Sequence, residues 1–165
     1  MTTLQGQGYL SIGNFREGQM EVPMEPLLAL LIGFGAARLA GFAGIDALDG
    51  WHPALRVGLA VMFLLTAFAH FYPKLRADLI AMVPPALPRP DLLVTLTGIL
   101  ELAGAVGVLI PATARLAAIC LIVLMVVMFP ANVSAARRNA AQGDPIGRRA
   151  ALQLVFIAAA ALVIP

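Results

Sequence analysis

The chain of 165 residues is poor in the groups that most sites are built from: one cysteine, two histidines, one tryptophan, and charge on only 12% of its residues. A lone Cys120 excludes a disulfide framework and a cysteine-rich metal site. Lying within an apolar run, it reads as a small apolar filler. No haem ligand pair and no flavin motif is evident. The formal net charge of +2 and the pI near 9.2 do not point to nucleic acid, because the basic residues sit in short interhelical stretches without interleaved aromatics. What the chain does have is apolar mass. A hydrophobic share of 61% and a mean hydropathy of +0.91 lie outside the range of soluble domains, so the chain is an integral membrane protein.

The expected fold is all-α: a membrane helical bundle of five spans, with a polar N-terminal tail over residues 1–25 and a transmembrane domain over 26–165. The tail sets Arg16 against Glu17, Glu21 and Glu25. It lacks the basic n-region of a secretory signal, so a retained first span is expected. The spans are expected over residues 26–45, 54–72, 91–110, 114–129 and 150–164. In the first, Pro26 suits a helix start, and Gly33, Ala37 and Gly41 make a four-residue seam for close packing. Its only charge, Arg38, either snorkels outward or forms an ion pair with Glu101.

Between the first two spans, Asp46-Ala-Leu-Asp49-Gly-Trp51-His52-Pro53 reads as a solvated turn with Trp51 in the aromatic belt. A metal held by Asp46, Asp49 and His52 is the weaker reading, and no metal is assigned. The segment from Lys74 to Pro90, with prolines at 84, 85, 88 and 90, is expected to be an extended or re-entrant lid. The fourth span is expected to end at Phe129-Pro130, with Asn132 either capping freed carbonyls or binding a ligand. The basic connector from Ser134 to Arg149 leads to a short fifth span that begins near Gln153.

Glu101 is the residue around which the rest is organised, a carboxylate in the middle of an apolar span. Thr97, Gly98, Gly104 and Ala105 share its helical face, and their small size argues that this face meets other helices rather than lipid. Thr66, His70 and Lys74 align on one face of the second span. There His70 either handles a proton or polar ligand together with Glu101 or is a capping histidine. The candidate proton-handling pair is therefore Glu101 and His70, and the candidate ligand-binding set is His70, Thr66, Thr97, Glu101, Asn132 and Gln153.

Orientation follows from eleven Lys and Arg. With the N-terminus inside, Arg16, Lys74, Arg76, Arg89, Arg137, Arg138, Arg148 and Arg149 are cytoplasmic, against Arg56 and Arg115 outside. Five spans then put the C-terminus outside, and the candidate residues surround a cytoplasm-facing pocket with Glu101 at its floor.

Taken in order, Leu55-Arg56, Met62-Phe63, His70-Phe71, Met82-Val-Pro84, Thr97-Gly-Ile-Leu-Glu101-Leu-Ala-Gly-Ala and Phe129-Pro-Ala-Asn132 resemble the DoxX-like membrane proteins, over residues 54–165. The resemblance implies a four-helix core in a bacterial cytoplasmic membrane, here with one additional N-terminal helix. It also implies a component of a membrane redox system that interacts with a quinone or other lipophile. The chain lacks the cysteines that thiosulfate chemistry needs, so no such reaction is assigned. Quinone is the one cofactor this leaves open, and membrane lipids, a redox partner protein and a second copy of the chain are the partners. The alternative is a non-catalytic accessory subunit whose basic connector docks a soluble partner or anionic lipid. No inverted repeat supports a transporter.

Overall fold

A computed structural model describes residues 24–138 and 145–164. Arg16, Glu17 and Glu21 of the polar tail, and Gly143 and Asp144 of the connector, lie outside the described residues. Six α-helices account for nearly all of what is described: α1 (Glu25–Phe42), α2 (Trp51–Phe71), α3 (Pro73–Met82), α4 (Pro90–Leu109), α5 (Ala114–Arg138) and α6 (Ile146–Ala161). Four of them, α1, α2, α4 and α5, are long and apolar enough to cross a bilayer. Large apolar side chains such as Ile32, Leu39, Phe68, Leu116, Val127 and Leu154 are exposed on the outer faces. Water penalises that arrangement and hydrocarbon does not. The molecule is a multi-pass helical membrane protein.

Helix ends follow local chemistry. α1 stops three residues before the expected Ile45, because Gly44 takes up a left-handed conformation (φ 99°). The Gly44 N–H then bonds the Gly41 carbonyl at 3.0 Å and the Ile45 N–H bonds that of Ala40 at 3.1 Å, which is the Schellman arrangement. Pro73 and Pro90 each occupy the first residue of a helix, where a missing N–H costs nothing. α2 and α4 end on extended residues, Tyr72 and Ile110, each set there by a following proline.

Two expectations are overturned. Residues 73–82 are a helix rather than part of an extended lid, because the prolines cluster at 84–90 and leave the preceding ten residues free to coil. The fourth span does not end at Phe129: α5 runs through Pro130 to Arg138. Proline removes one helical bond, to the Val126 carbonyl, while the bonds on either side keep the helix continuous. The expected fifth span appears as α6, whose 16 residues extend about 24 Å at 1.5 Å per residue, less than the hydrocarbon thickness.

Helix α2 is the hub. It packs along α1 and α4, α4 packs on α5, α5 on α6, and α6 touches α2 again. The enclosed core combines Leu55, Leu59, Met62 and Phe63 of α2 with Ala105 and Val108 of α4, Ala118 and Leu121 of α5, and Ala159 and Ala160 of α6. α1 lies outside this ring, seated on α2 through its small-residue seam. Gly33, Ala37 and Gly41 are its buried positions together with Leu30. A Cβ on Gly58 of α2 would sit 2.7 Å from the Leu30 carbonyl oxygen, so the two backbones touch. Cys120 is exposed on the outer face of α5 rather than filling the core.

Candidate functional site

Two polar groups are buried in the apolar body, His70 at 3% and Glu101 at 5% exposure, and they face each other where α2 crosses α4. Gly98 makes the crossing possible. A Cβ there would lie 2.5 Å from the His70 Cβ and 2.9 Å from its Cγ, so any side chain would displace the imidazole. One turn further along α4 is Glu101, whose Oε2 lies 3.7 Å from His70 Nδ1. That separation brings the groups into electrostatic contact but is too long for a hydrogen bond.

Thr66 holds the pair. Its carbonyl accepts a bond from His70 Nδ1 at 2.9 Å. A carbonyl can only accept, so Nδ1 carries a proton and a neutral imidazole keeps its acceptor at Nε2. The Thr66 hydroxyl donates to the Phe63 carbonyl at 3.2 Å and also stands within hydrogen-bonding reach of the Glu101 side chain. Glu101 Oε2 itself is buried without a hydrogen-bond partner. An unmet carboxyl oxygen in a low-dielectric crossing is costly, and such groups in membrane helices mark sites of function.

Sequence reasoning misses Arg76. From α3 it reaches under the site and donates to the His70 carbonyl at 2.9 Å, to the Asp91 carbonyl at 2.9 Å and to Thr95 Oγ1 at 2.9 Å. The His70 carbonyl belongs to the last turn of α2 and has lost its helical partner, so the guanidinium supplies the missing donor. Arg138 does the same for α3, donating to the carbonyls of Ala81, Met82 and Val83 at 3.0–3.1 Å. The available signal is an arginine four residues after the helix-breaking Tyr72-Pro73 step begins.

The other candidates are distributed differently from the expected single pocket. Thr66, His70 and Glu101 come together, while Thr97 spends its hydroxyl on Leu93 and Val94 carbonyls of its own helix. Asn132 and Gln153 belong to the α5–α6 interface. Asn132 Oδ1 accepts from Arg149 Nη1 at 3.3 Å, and Gln153 Nε2 donates to the Met125 carbonyl at 3.0 Å. Because α5 continues past it, Asn132 does not cap the helix. The Arg38–Glu101 ion pair is not formed. Arg38 lies in the last turns of α1, which packs on α2, and turns to the helix end, where Nη1 is 3.7 Å from Asp49 Oδ1 and the guanidinium stands 4.4 Å over the Phe42 ring. His52 stacks on Trp51, and among the described residues no group of three or more His, Cys, Asp or Glu is arranged to hold a metal ion.

A groove of about 300 Å³ runs between α5 and α6, lined by Val126, Phe129, Ala150, Gln153, Leu154 and Ile157. It is separate from the α2–α4 crossing. Comparison with known families finds one match: a family model described as a domain of unknown function (DUF8561) covers residues 59–164. These residues run from within α2 to the end of α6 and leave out α1, so the matched region coincides with the four-helix ring. No curated protein and no solved structure matches the chain.

Proposed function

The chain belongs to the DUF8561 family, and from that premise we propose that its four-helix ring is a proton-handling, quinone- or lipophile-interacting component of a membrane redox system, as the DoxX-like resemblance implies. The observation that carries this reading is the unpartnered Glu101 Oε2 beside a buried imidazole whose tautomer is set by the Thr66 carbonyl. A carboxyl can hold a proton without charge, and an imidazole with Nδ1 committed offers Nε2 as a proton acceptor. Together they provide a two-group relay suited to a hydroxyl that becomes acidic on oxidation, such as that of a quinol. The lipophile carries the electrons; His70 and Glu101 hold or move the proton. Thr66 positions both groups, and Arg76 fixes the helix end that presents them.

The same reading has five crossings in a bacterial cytoplasmic membrane, N-terminus inside. The arginine-rich helix ends then lie on the cytoplasmic side, at the end of the bundle from which His70 is one turn removed. A second reading, an accessory subunit that docks a redox partner, is favoured by the exposure of Lys74, Arg89 and Arg137 at that end.

The test is to purify the full chain in mild detergent, extract it with organic solvent and quantify quinones. Wild type should retain quinone near stoichiometry, and Glu101→Gln and His70→Ala should each lose about tenfold, the equivalent of one lost charge-assisted contact. Far-UV circular dichroism checks that both variants fold. Equal retention by wild type and folded Glu101→Gln would sink the quinone reading. Absence of quinone combined with stoichiometric recovery of a redox protein, lost in Arg137→Ala, would favour the second.

A further inference from the structure

Independently of the quinone reading, we propose that the α5–α6 groove binds one acyl chain of an anionic phospholipid, whose phosphate meets the arginines at the groove's end. The groove has five apolar linings and one amide, and the Nε2 of that amide, on Gln153, is already committed to the Met125 carbonyl. From Ala150 to Ile157 it follows α6 for about 10 Å at 1.5 Å per residue, a chain-like slot rather than a compact pocket. Leu154 on its rim is 66% exposed, so the slot opens to the outside of the bundle, where hydrocarbon lies.

Charge selects the headgroup. At the Phe129–Ala150 end of the groove, Arg149 of α6 crosses to Asn132 of α5, which puts a guanidinium at the junction of the two helices just beyond the last apolar lining. Arg148 precedes it, and Arg137 and Arg138 close α5 on the same side. Over residues 134–149 these four arginines stand against one acid, Asp144. A membrane-embedded apolar slot that ends in concentrated positive charge matches a lipid with hydrocarbon below and a net negative phosphate above. A zwitterionic lipid satisfies the slot but gains nothing from the excess charge.

The experiment uses the full chain with Trp51→Phe, which removes the native tryptophan, and Phe129→Trp, which puts a reporter in the groove wall. The protein is reconstituted in mixed phosphatidylcholine and phosphatidylglycerol bilayers, with the acyl-chain bromines that quench tryptophan carried on one lipid or the other. Quenching at position 129 should show brominated phosphatidylglycerol binding about fivefold more tightly than brominated phosphatidylcholine, the effect expected of roughly one arginine–lipid contact. Adding Arg148→Gln and Arg149→Gln should bring the ratio to about one. A second reporter, Val123→Trp on the exposed face of α5 outside the groove, should show no preference in the parent. Equal quenching by both lipids at position 129, a preference that survives the double arginine change, or the same preference at position 123 would each overturn the proposal.

Discussion

The α2–α4 crossing and the α5–α6 interface both bring polar side chains into an apolar bundle, and they do so in opposite ways. At the first, Gly98 lets the helices close until no Cβ fits, and a carboxyl oxygen is sealed in without a partner. At the second, the helices stay far enough apart to leave a groove of about 300 Å³, and the Asn132 and Gln153 amides find partners across it. Tight packing accompanies the unmet polar group, and loose packing accompanies the satisfied ones. A bundle organised only for stability would show the reverse, since an unmet group is cheapest where lipid or water can relax around it. The contrast marks α2–α4 as the region shaped by chemistry and α5–α6 as the region shaped by its surroundings.

The strongest way to break the comparison is to reopen the tight crossing. Gly98→Val adds a branched side chain where even a Cβ meets the backbone-proximal atoms of His70. It should cost roughly 3 kcal/mol, the upper end of overpacking penalties, read as a lowered thermal midpoint in mild detergent. Gly147→Val, on the first turn of α6 with nothing within 4 Å of its Cβ, serves as the matched control and should stay within about 0.5 kcal/mol. Comparable losses in the two variants would remove the distinction between a closed and an open region.

A second, smaller effect concerns how the tight region is held. Arg76→Leu removes the donor to the His70 carbonyl, the Asp91 carbonyl and Thr95 at once. About 2 kcal/mol should be lost, because charged donors contribute more than neutral ones and the His70 carbonyl has no helical replacement. Hydrogen exchange at the end of α2 and the start of α4 should rise together. Faster exchange confined to α3 would mean that Arg76 secures only its own helix.

Which of these features can be read from the chain depends on the range over which the relevant physics acts. The seam of Gly33, Ala37 and Gly41 is legible because four-residue spacing is a property of one helix, and it is the buried face of α1. The importance of Glu101 and His70 is legible because hydrocarbon makes any ionisable group conspicuous. Helix α3 is not, because counting prolines across residues 73–90 hides the fact that the first ten residues contain one only at the helix start, where it is favourable. Depth alone pairs Arg38 with Glu101, and depth says nothing about which helices are neighbours: α1 packs on α2, and its guanidinium ends on Asp49. Arg76 escapes notice because its three acceptors are carbonyls and a hydroxyl that only the turn after α2 brings within reach.

The carboxyl itself offers a sharper test, with the sign reversed. Glu101→Leu exchanges a buried acid with an unmet oxygen for an apolar side chain of similar size, while His70 keeps its bond to the Thr66 carbonyl. Removing such a group should raise stability by about 1 kcal/mol, as hydrophobic replacement of buried ionic groups commonly does, and quinone retention should fall. A loss of stability instead would mean that Glu101 is held by contacts that contribute to the fold, and the case for a site maintained at the expense of packing would fail.

The smallest effect belongs to the open interface, and its smallness is the point. Gln153→Leu deletes the bond to the Met125 carbonyl, but that carbonyl remains inside α5 and keeps the helical N–H four residues on. The side-chain bond is therefore a second bond to an acceptor already satisfied, and about 0.5 kcal/mol is the expected loss. The leucine also completes an apolar lining in which Gln153 is the one polar member. A thermal midpoint unchanged within that margin fits an interface whose polar groups are supplementary. A loss several times larger would show that the α5–α6 contact depends on its amide as heavily as the α2–α4 crossing depends on its glycine, and the two regions would then differ in geometry alone.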